Sequence, residues 1–587
     1  MDRLQGQGSP EIQEEVTGDI QTAESGDARD ESSKHLIAGV SVSGSETRRS
    51  TGSLIKTTGG RIVRSRWSPL LAVVSVSLIV GWFNDSWYDN DQWFMLSNGR
   101  WVSDNGFPHE NPFSAWGGEI VLDNWLWSVI LYTAYSLNGQ TGITALCSIV
   151  STASALTAWS IAHRLGASRL ASTMTSSLFL ICSMHSMGAA TDRPFLASSL
   201  MILLAIRVVL EWSMSGWRWR GVWLLPLITL TAFNLHMADG WFTVILPGCW
   251  LAASVLMDDS HRAKTLVVSS LVVTTQILAT LVNPWFLDGA TFVFKGMGSA
   301  SYREAIIDTL KLPTFASMVF DDSILRDVEL RRLAPPITMA IIIIAVLVAM
   351  SARNAIRAEN STMRAVWTGC LIAVIGTASL LFVALRFSNE VMLLSPFLAG
   401  VSIAVKPDSK LAATMNDRDM QVFMIVLLSF ALASSMVSAP AASWAKYDGN
   451  DVANVAARAV QGHVPAGSEI MSDGYIGSKL TWLGYKTSFD MRPELIDSAV
   501  SGLPEDHYRE WIDANLDRSK AESFIEEYSG EFRWWVIRDY PSGETIMETV
   551  LSARSDFKLV ASQEGKYALY EHVSRLARPP VSHAGGW

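Results

Sequence analysis

The chain has 587 residues, 49% of them hydrophobic and 17% charged, with a net charge of −10 and a mean hydropathy of +0.23. Soluble domains carry about a quarter charged residues, so this composition argues against an ordinary soluble protein and indicates a polytopic membrane protein. No basic face with interleaved aromatics is visible, which argues against nucleic acid as a partner.

Residues 1–66 are rich in Gly, Ser, Thr and Glu and poor in aromatics, a composition that predicts a disordered tail. Acidic residues dominate up to Glu31, and Arg48, Arg49, Lys56, Arg61, Arg64 and Arg66 follow. No cleavable signal peptide is visible, and the basic stretch predicts a cytoplasmic N-terminus.

Residues 67–440 form the expected transmembrane domain. The first span runs over 68–84, and a loop rich in Gly, Pro, Asn and aromatics continues to about 121. Segment 123–138 (DNWLWSVILYTAYSLN) is apolar but short for a crossing. It is read as an interfacial or re-entrant helix on the outer side. Further spans are expected at 141–162, 170–190, 196–213, 221–235, 240–256, 264–282, 337–351, 366–385, 390–405 and 421–438. Together they make about eleven transmembrane helices, with a long outer loop over 283–336.

That threading places five basic stretches in the cytoplasm: Arg164–Arg169, Arg218–Arg220, Arg262–Lys264, Arg353–Arg364 and Lys406–Arg418. Many of the tryptophans stand near segment ends, among them Trp82, Trp87, Trp93, Trp217, Trp219, Trp223, Trp241, Trp285 and Trp444. They suit interfacial belts. Cys147, Cys182, Cys249 and Cys370 lie inside apolar segments and read as small core residues, without metal-site spacing.

From 441 to 587 charged and apolar residues mix in soluble proportions. Strands are expected at 468–471, 487–489, 534–537 and 566–572, with helices at 453–461 and 521–528. This predicts a small α/β domain, outside the membrane on the extracytoplasmic side because the span count is odd.

The unusual polar motifs fall on the outer side. Tyr88-Asp89-Asn90-Asp91 follows the first span, and a carboxylate pair there can accept a proton from a hydroxyl or hold a divalent cation. The alternative is a solvated loop end. Asp192-Arg193-Pro194 breaks two apolar segments; the proline explains the break, and the guanidinium suits a phosphate or a helix-end pair with Asp192. Asn234-Leu235-His236-Met237-Ala238-Asp239-Gly240 joins two spans, where ionisable residues are costly and often functional, or it is a capped turn with Gly240 at the bend. Arg386 opens a short loop with Asn389 and Glu390, as a second phosphate partner or an Arg that snorkels to water. Asn283-Pro284 ends a helix. No P-loop, G-x-S-x-G, H-E-x-x-H or dinucleotide fingerprint is present.

The order of these parts resembles the GT-C superfamily of membrane glycosyltransferases. The likeness lies in the acidic YDND after span one, the skipped helix at 123–138, the string DQWFMLSNGRWVSDNGFPHENPFS, the DRP, NLH and NP elements and SFDMRPEL. The later strings are similar to a bacterial branch of GT-C-like proteins. The resemblance covers about 67–500. It implies a polyprenyl-phosphate-linked sugar as donor, a glycan, lipid or protein acceptor in the cell envelope, and inverting transfer outside the cytoplasmic membrane, among membrane lipid.

The residues then take expected roles. Asp89 or Asp91 acts as base by position. Arg193, His236 and Arg386 hold the donor phosphate. Asp192, Asn234, Asp239, Asn389 and Glu390 position substrate. A divalent cation (Mg or Mn) is a possible cofactor, with Asp89 and Asp91 as its ligands. The sequence leaves two alternatives: a transporter or flippase for a lipid-linked glycan, and a non-catalytic GT-C-like scaffold for envelope assembly. A transporter should carry buried charges within spans and broken helices, whereas these spans read as clean. Asp473-Gly474-Tyr475 and Asp490-Met491-Arg492-Pro493 read mainly as turn and packing residues, and alternatively as acceptor contacts.

Overall fold

The computed structural model describes residues 73–75, 91–185, 192–218, 220–258, 261–299, 328–383, 387–402, 452–490, 492, 497–539 and 545–573. The tail over 1–66, most of the expected first span and the expected span at 421–438 lie outside them.

The membrane part is a helical bundle. Helix α1 (Asp91–Asn105) lies in the first loop, and α2 (Trp125–Arg164) follows it. Asn138 and Gly139 break the helical path of α2, Gly139 at φ 56°. A Cβ at Gly142 would sit 2.0 Å from the Ala134 carbonyl oxygen, so the turn after the break is tight. The break divides the expected interfacial segment from the expected span. Next come α3 (Arg169–His185), α4 (Phe195–Met214), α5 (Leu225–Leu235), α6 (Phe242–Met257), α7 (Arg262–Thr280), α8 (Phe286–Gly298), α9 (Val328–Arg357) and α10 (Ser361–Leu380).

Among the described residues, six helices are long and apolar enough to cross a membrane. The chain is thus a multi-pass membrane protein, and the count of eleven is not reproduced by these helices. One expected span has a different form. Residues 390–405 do not continue as a helix: α11 is a single turn at Ser388–Met392, followed by a 3-10 segment at Ser395–Ser402. Pro396 lacks the amide that a continuous helix needs there. The apolar pattern was that of a core segment, and Val391, Met392, Leu394 and Phe397 are fully buried.

Packing in the bundle is close. A Cβ at Gly369 of α10 would meet the Trp250 ring of α6 at 2.5 Å. That closeness lets the Trp250 indole donate to the Val366 carbonyl at 3.0 Å while its ring stacks on Phe397 at 5.2 Å. Gln276 donates to Thr229 Oγ1 at 3.0 Å and to the Thr243 carbonyl at 2.8 Å, tying α7, α5 and α6 where no water competes.

The spans are less clean than their sequence suggested. Arg207 and Glu211 lie inside α4, and Glu211 pairs with both Arg207 and Arg164, each bond at 2.8 Å. Glu211 stands one turn from the end of α4, and the helix rise puts it about 24 Å from the helix start. The charges therefore close the bundle at the end away from the polar loops.

The C-terminal domain is α/β, as expected. Strands β1 (Glu469–Ser472), β2 (Lys486–Thr487), β3 (Trp534–Arg538), β4 (Phe557–Gln563) and β5 (Tyr567–His572) form one five-stranded sheet in the order β2-β1-β3-β5-β4. The first three are mutually parallel and the last two run antiparallel. Alternation along β3 sorts its two faces. Trp535 and Ile537 face α14 (Arg518–Tyr528) and α15 (Ile546–Ala553), which lie beyond α13 (His507–Leu516). Trp534 and Val536 face the helical segment at 452–463 and α12 (Gly474–Trp482). Asp473 caps α12 by accepting from the Ile476 amide at 2.9 Å, which is the turn role expected of it.

The first loop is built into this domain. Thr487 of β2 donates its amide to the Phe113 carbonyl at 3.0 Å and accepts from the Ala115 amide at 2.9 Å, so 113–115 extends the sheet as a parallel neighbour. Trp116 stacks on His507 at 4.1 Å. Arg492 is buried; its guanidinium pairs with Asp490 and donates to Asn98 Oδ1 of α1 at 2.7 Å. The rings of Phe94 and Phe113 each lie 5.0 Å from it.

Losing one member of a buried ion pair leaves an uncompensated charge, at a cost of about 3–5 kcal/mol. Arg492→Met should therefore lower the melting temperature and expose the 106–124 loop to protease. An unchanged melting temperature and unchanged protection would show that this pair does not hold the loop.

Candidate active site

Three helix starts meet on the side of the bundle opposite the Arg164–Glu211 pair. Asp91 begins α1, Asn124 precedes α2, and Asp192-Arg193-Pro194 precedes α4. The corner between α5 and α6 joins them, carrying His236 and a one-turn helix at Met237–Gly240. That corner needs glycine: a Cβ at Gly240 would lie 2.7 Å from the Phe233 Cα.

Specific bonds knit these starts together. Arg193 Nη2 pairs with Asp91 Oδ2 at 2.8 Å, joining α1 to α4. The Trp127 indole donates to the Asp192 carbonyl at 2.6 Å. The Trp125 indole donates to Asn234 Oδ1 at 2.9 Å. The Met237 amide donates to the Asp123 carbonyl at 2.8 Å. Phe195 meets the His236 ring edge-on at 4.9 Å.

His236 lies between two carboxylates. Its Nε2 is 3.6 Å from Asp123 Oδ2. Its Nδ1 is 3.0 Å from Asp239 Oδ2, without hydrogen-bond alignment. The site thus joins one guanidinium, one imidazole and the carboxylates of Asp91, Asp123 and Asp239, with the buried Asp192 beside them. Each helix start adds a partial positive charge of roughly half a unit. Opposite signs alternate over a short span, which suits a ligand that carries both an anion and hydroxyl groups.

The sequence singled out most of this group. Asp91, Asp192, Arg193, Asn234, His236 and Asp239 come together here. Asn234 is occupied by the fold: beyond the bond from Trp125, its Nδ2 donates to the Leu230 and Val282 carbonyls at 2.9 Å each. Asp89 and Arg386 lie outside the described residues, as does the side chain of Asn389. Glu390 is buried in α11, which packs against α3, α9 and α10. Next to it, Phe387 touches Phe242 at 5.8 Å, three residues beyond Asp239. Asp123, Trp125 and Trp127 were not singled out, although Asp123-Asn124 before an apolar run is a helix-start signal that pointed there. Asn283 bonds the Thr280 and Phe286 carbonyls and the Trp285 amide, ending α7 as expected.

A divalent cation needs several oxygen donors that face one point. Asp91 already meets a cation in Arg193, and Asp123 and Asp239 are turned to His236. Among the described residues, the one group spaced to hold an ion is Glu505, His507 and Glu510, in the C-terminal domain. The Tyr528 hydroxyl stands amid those three, at 3.4, 3.1 and 2.7 Å. Asp89, the other carboxylate expected to hold a Mg or Mn ion with Asp91, lies outside the described residues.

No protein-family model and no curated protein matches this sequence. Among solved structures, the chain is similar to the arabinofuranosyltransferase AftD from Mycobacteria, seen by cryo-EM, at 12% identity and a TM-score of 0.48. The similarity covers 86% of this chain and 42% of that one, so the chain spans less than half the length of the structure it matches.

Residues in direct ionic contact typically couple by about 0.5–3 kcal/mol. A double-mutant cycle of Asp91→Asn and Arg193→Met, read by thermal unfolding, should return a coupling in that range. Simple additivity would show that the two side chains do not meet.

Proposed function

We propose that the chain is an integral-membrane glycosyltransferase that uses a polyprenyl-phosphate-linked sugar and works on the outer face of the cytoplasmic membrane. The observation that carries this reading is the Asp91–Arg193 pair at the junction of helix starts, beside His236. A glycosyl phosphate needs two things at once: a base for the acceptor and cations for the leaving group. Both stand within one hydrogen-bond network here.

In the proposed reaction the acceptor hydroxyl gives its proton to Asp91 as its oxygen attacks the anomeric carbon. The carbon–oxygen bond to phosphate breaks, and the phosphate leaves with the electron pair. Arg193 and the helix starts take up that charge, with Arg386 expected as a further partner. Arrival of the donor phosphate at Arg193 frees the Asp91 carboxylate for the acceptor, so donor binding prepares the base. Attack from the face opposite the phosphate gives inversion. His236, held between Asp123 and Asp239, donates to the phosphate or to a sugar hydroxyl.

The proposed orientation has the N-terminus in the cytoplasm and the C-terminal domain outside. Its support is that Arg164, Arg262, Arg357 and Arg364 all stand at the helix ends remote from the site.

The test is made on purified full-length protein with a polyprenyl-phosphate sugar. Asp91→Asn should retain the donor in native mass spectrometry and lose transfer by about 100-fold or more, the usual range for a missing general base. Arg193→Ala should lose the donor itself. A folded wild type that takes up no such lipid would overturn the proposal in favour of a transporter or a scaffold.

A further inference from the structure

The seam between α1 and α12 carries two cations that the proposed reaction does not use. Trp93 and Arg100 stand seven residues apart on one face of α1, and Lys479 and Trp482 three apart on one face of α12. The Trp93 and Trp482 rings meet across the seam at 6.3 Å. Lys479 Nζ sits 3.0 Å from the Trp93 ring centre, and the Arg100 guanidinium carbon 4.4 Å from the Trp482 ring centre. Arg100 also donates to the Trp482 carbonyl at 2.8 Å.

Neither cation meets a carboxylate among the described residues. Lys479 is half-buried, and burial pushes its ammonium down to about 8. A ring face compensates part of the cost of that desolvation. It offers no acceptor to the three N–H bonds of the ammonium.

We propose that this seam binds the phosphate group of an amphiphilic lipid, with Lys479 and Arg100 as its cations. Phosphate suits it because its charged oxygens accept strongly from an ammonium and from a guanidinium. The lipid tail follows from what flanks the seam. Tyr135 packs against Trp482 at 5.6 Å, and Leu137, next to the break in α2, is 81% exposed. Aromatic rings beside an exposed leucine mark the depth of a membrane interface. The site uses none of Asp91, Arg193 or His236, so it stands or falls apart from the transfer reaction.

The phosphate has two possible sources, a bilayer phospholipid or a polyprenyl phosphate carrier. The experiment is native mass spectrometry of the full-length protein after delipidation, with phosphatidylglycerol, a polyprenyl phosphate or neutral diacylglycerol added back. Wild type should retain at least one of the two phosphate lipids at this site and no diacylglycerol. The Lys479→Met/Arg100→Met variant should lose that retention at least 10-fold, Lys479→Arg should keep it, and Arg193→Ala should keep it too. The phosphate lipid whose retention falls identifies the source. If the double variant does not fold, Lys479→Gln, which keeps the stem and a polar tip, is read in its place. Wild-type retention of both lipids in a folded variant, or equal retention of diacylglycerol, would overturn the proposal.

Discussion

The buried Arg492 guanidinium is the interaction on which the placement of α1 depends. It neutralises Asp490 within its own domain and reaches Asn98 on α1, between the rings of Phe94 and Phe113. Asp91 and Asn98 lie two turns apart on the same helix. Fixing one end of α1 against the sheet therefore fixes the other end against Arg193. A charge so well enclosed contributes little net stability over an apolar contact, but it is specific, because any other register would cost it the Asn98 acceptor.

The same constraint explains why the sheet carries its chemistry indirectly. Open sheets with parallel strands often bind ligands beyond the carboxyl ends of those strands. Here the chain leaving β2 at that edge runs through Ser488 and Asp490 to Arg492, and Arg492 meets α1. The edge is occupied by the protein's own helix. The domain acts as a support that positions α1, while the polar groups suited to chemistry come from the helix starts of the bundle.

How much of this was legible in sequence differs by residue. Asp192-Arg193-Pro194 and His236 stood out because polar residues interrupting apolar runs are rare, and both fall in the site. The strands at 534–537 and 566–572 were legible as short apolar and aromatic runs, and both occur. The one-turn helix and 3-10 segment at 388–402 were not, because an apolar run of that length reads alike whether lipid or protein surrounds it. Strand β4 was missed because Lys558, Ser562 and Gln563 are exposed and polar, and its apolar residues do not alternate. The Asp91–Arg193 contact spans about a hundred residues of chain, and that of Asn98 with Arg492 nearly four hundred. No local pattern encodes such pairings, since they depend on how remote elements dock.

The pairing of 113–115 with β2 has a consequence in time. Residues made early complete the edge of a sheet whose other strands are made much later. Until that sheet exists, the loop has no partner for its amides and α1 has nothing to brace it. The bundle can assemble first, but the carboxylate at the head of α1 gains its fixed place only when the last domain has folded. Synthesis order thus sets assembly order: the brace on α1 comes only after β2 has been made. The loop in turn covers a bare strand edge that would otherwise invite pairing with a neighbouring molecule.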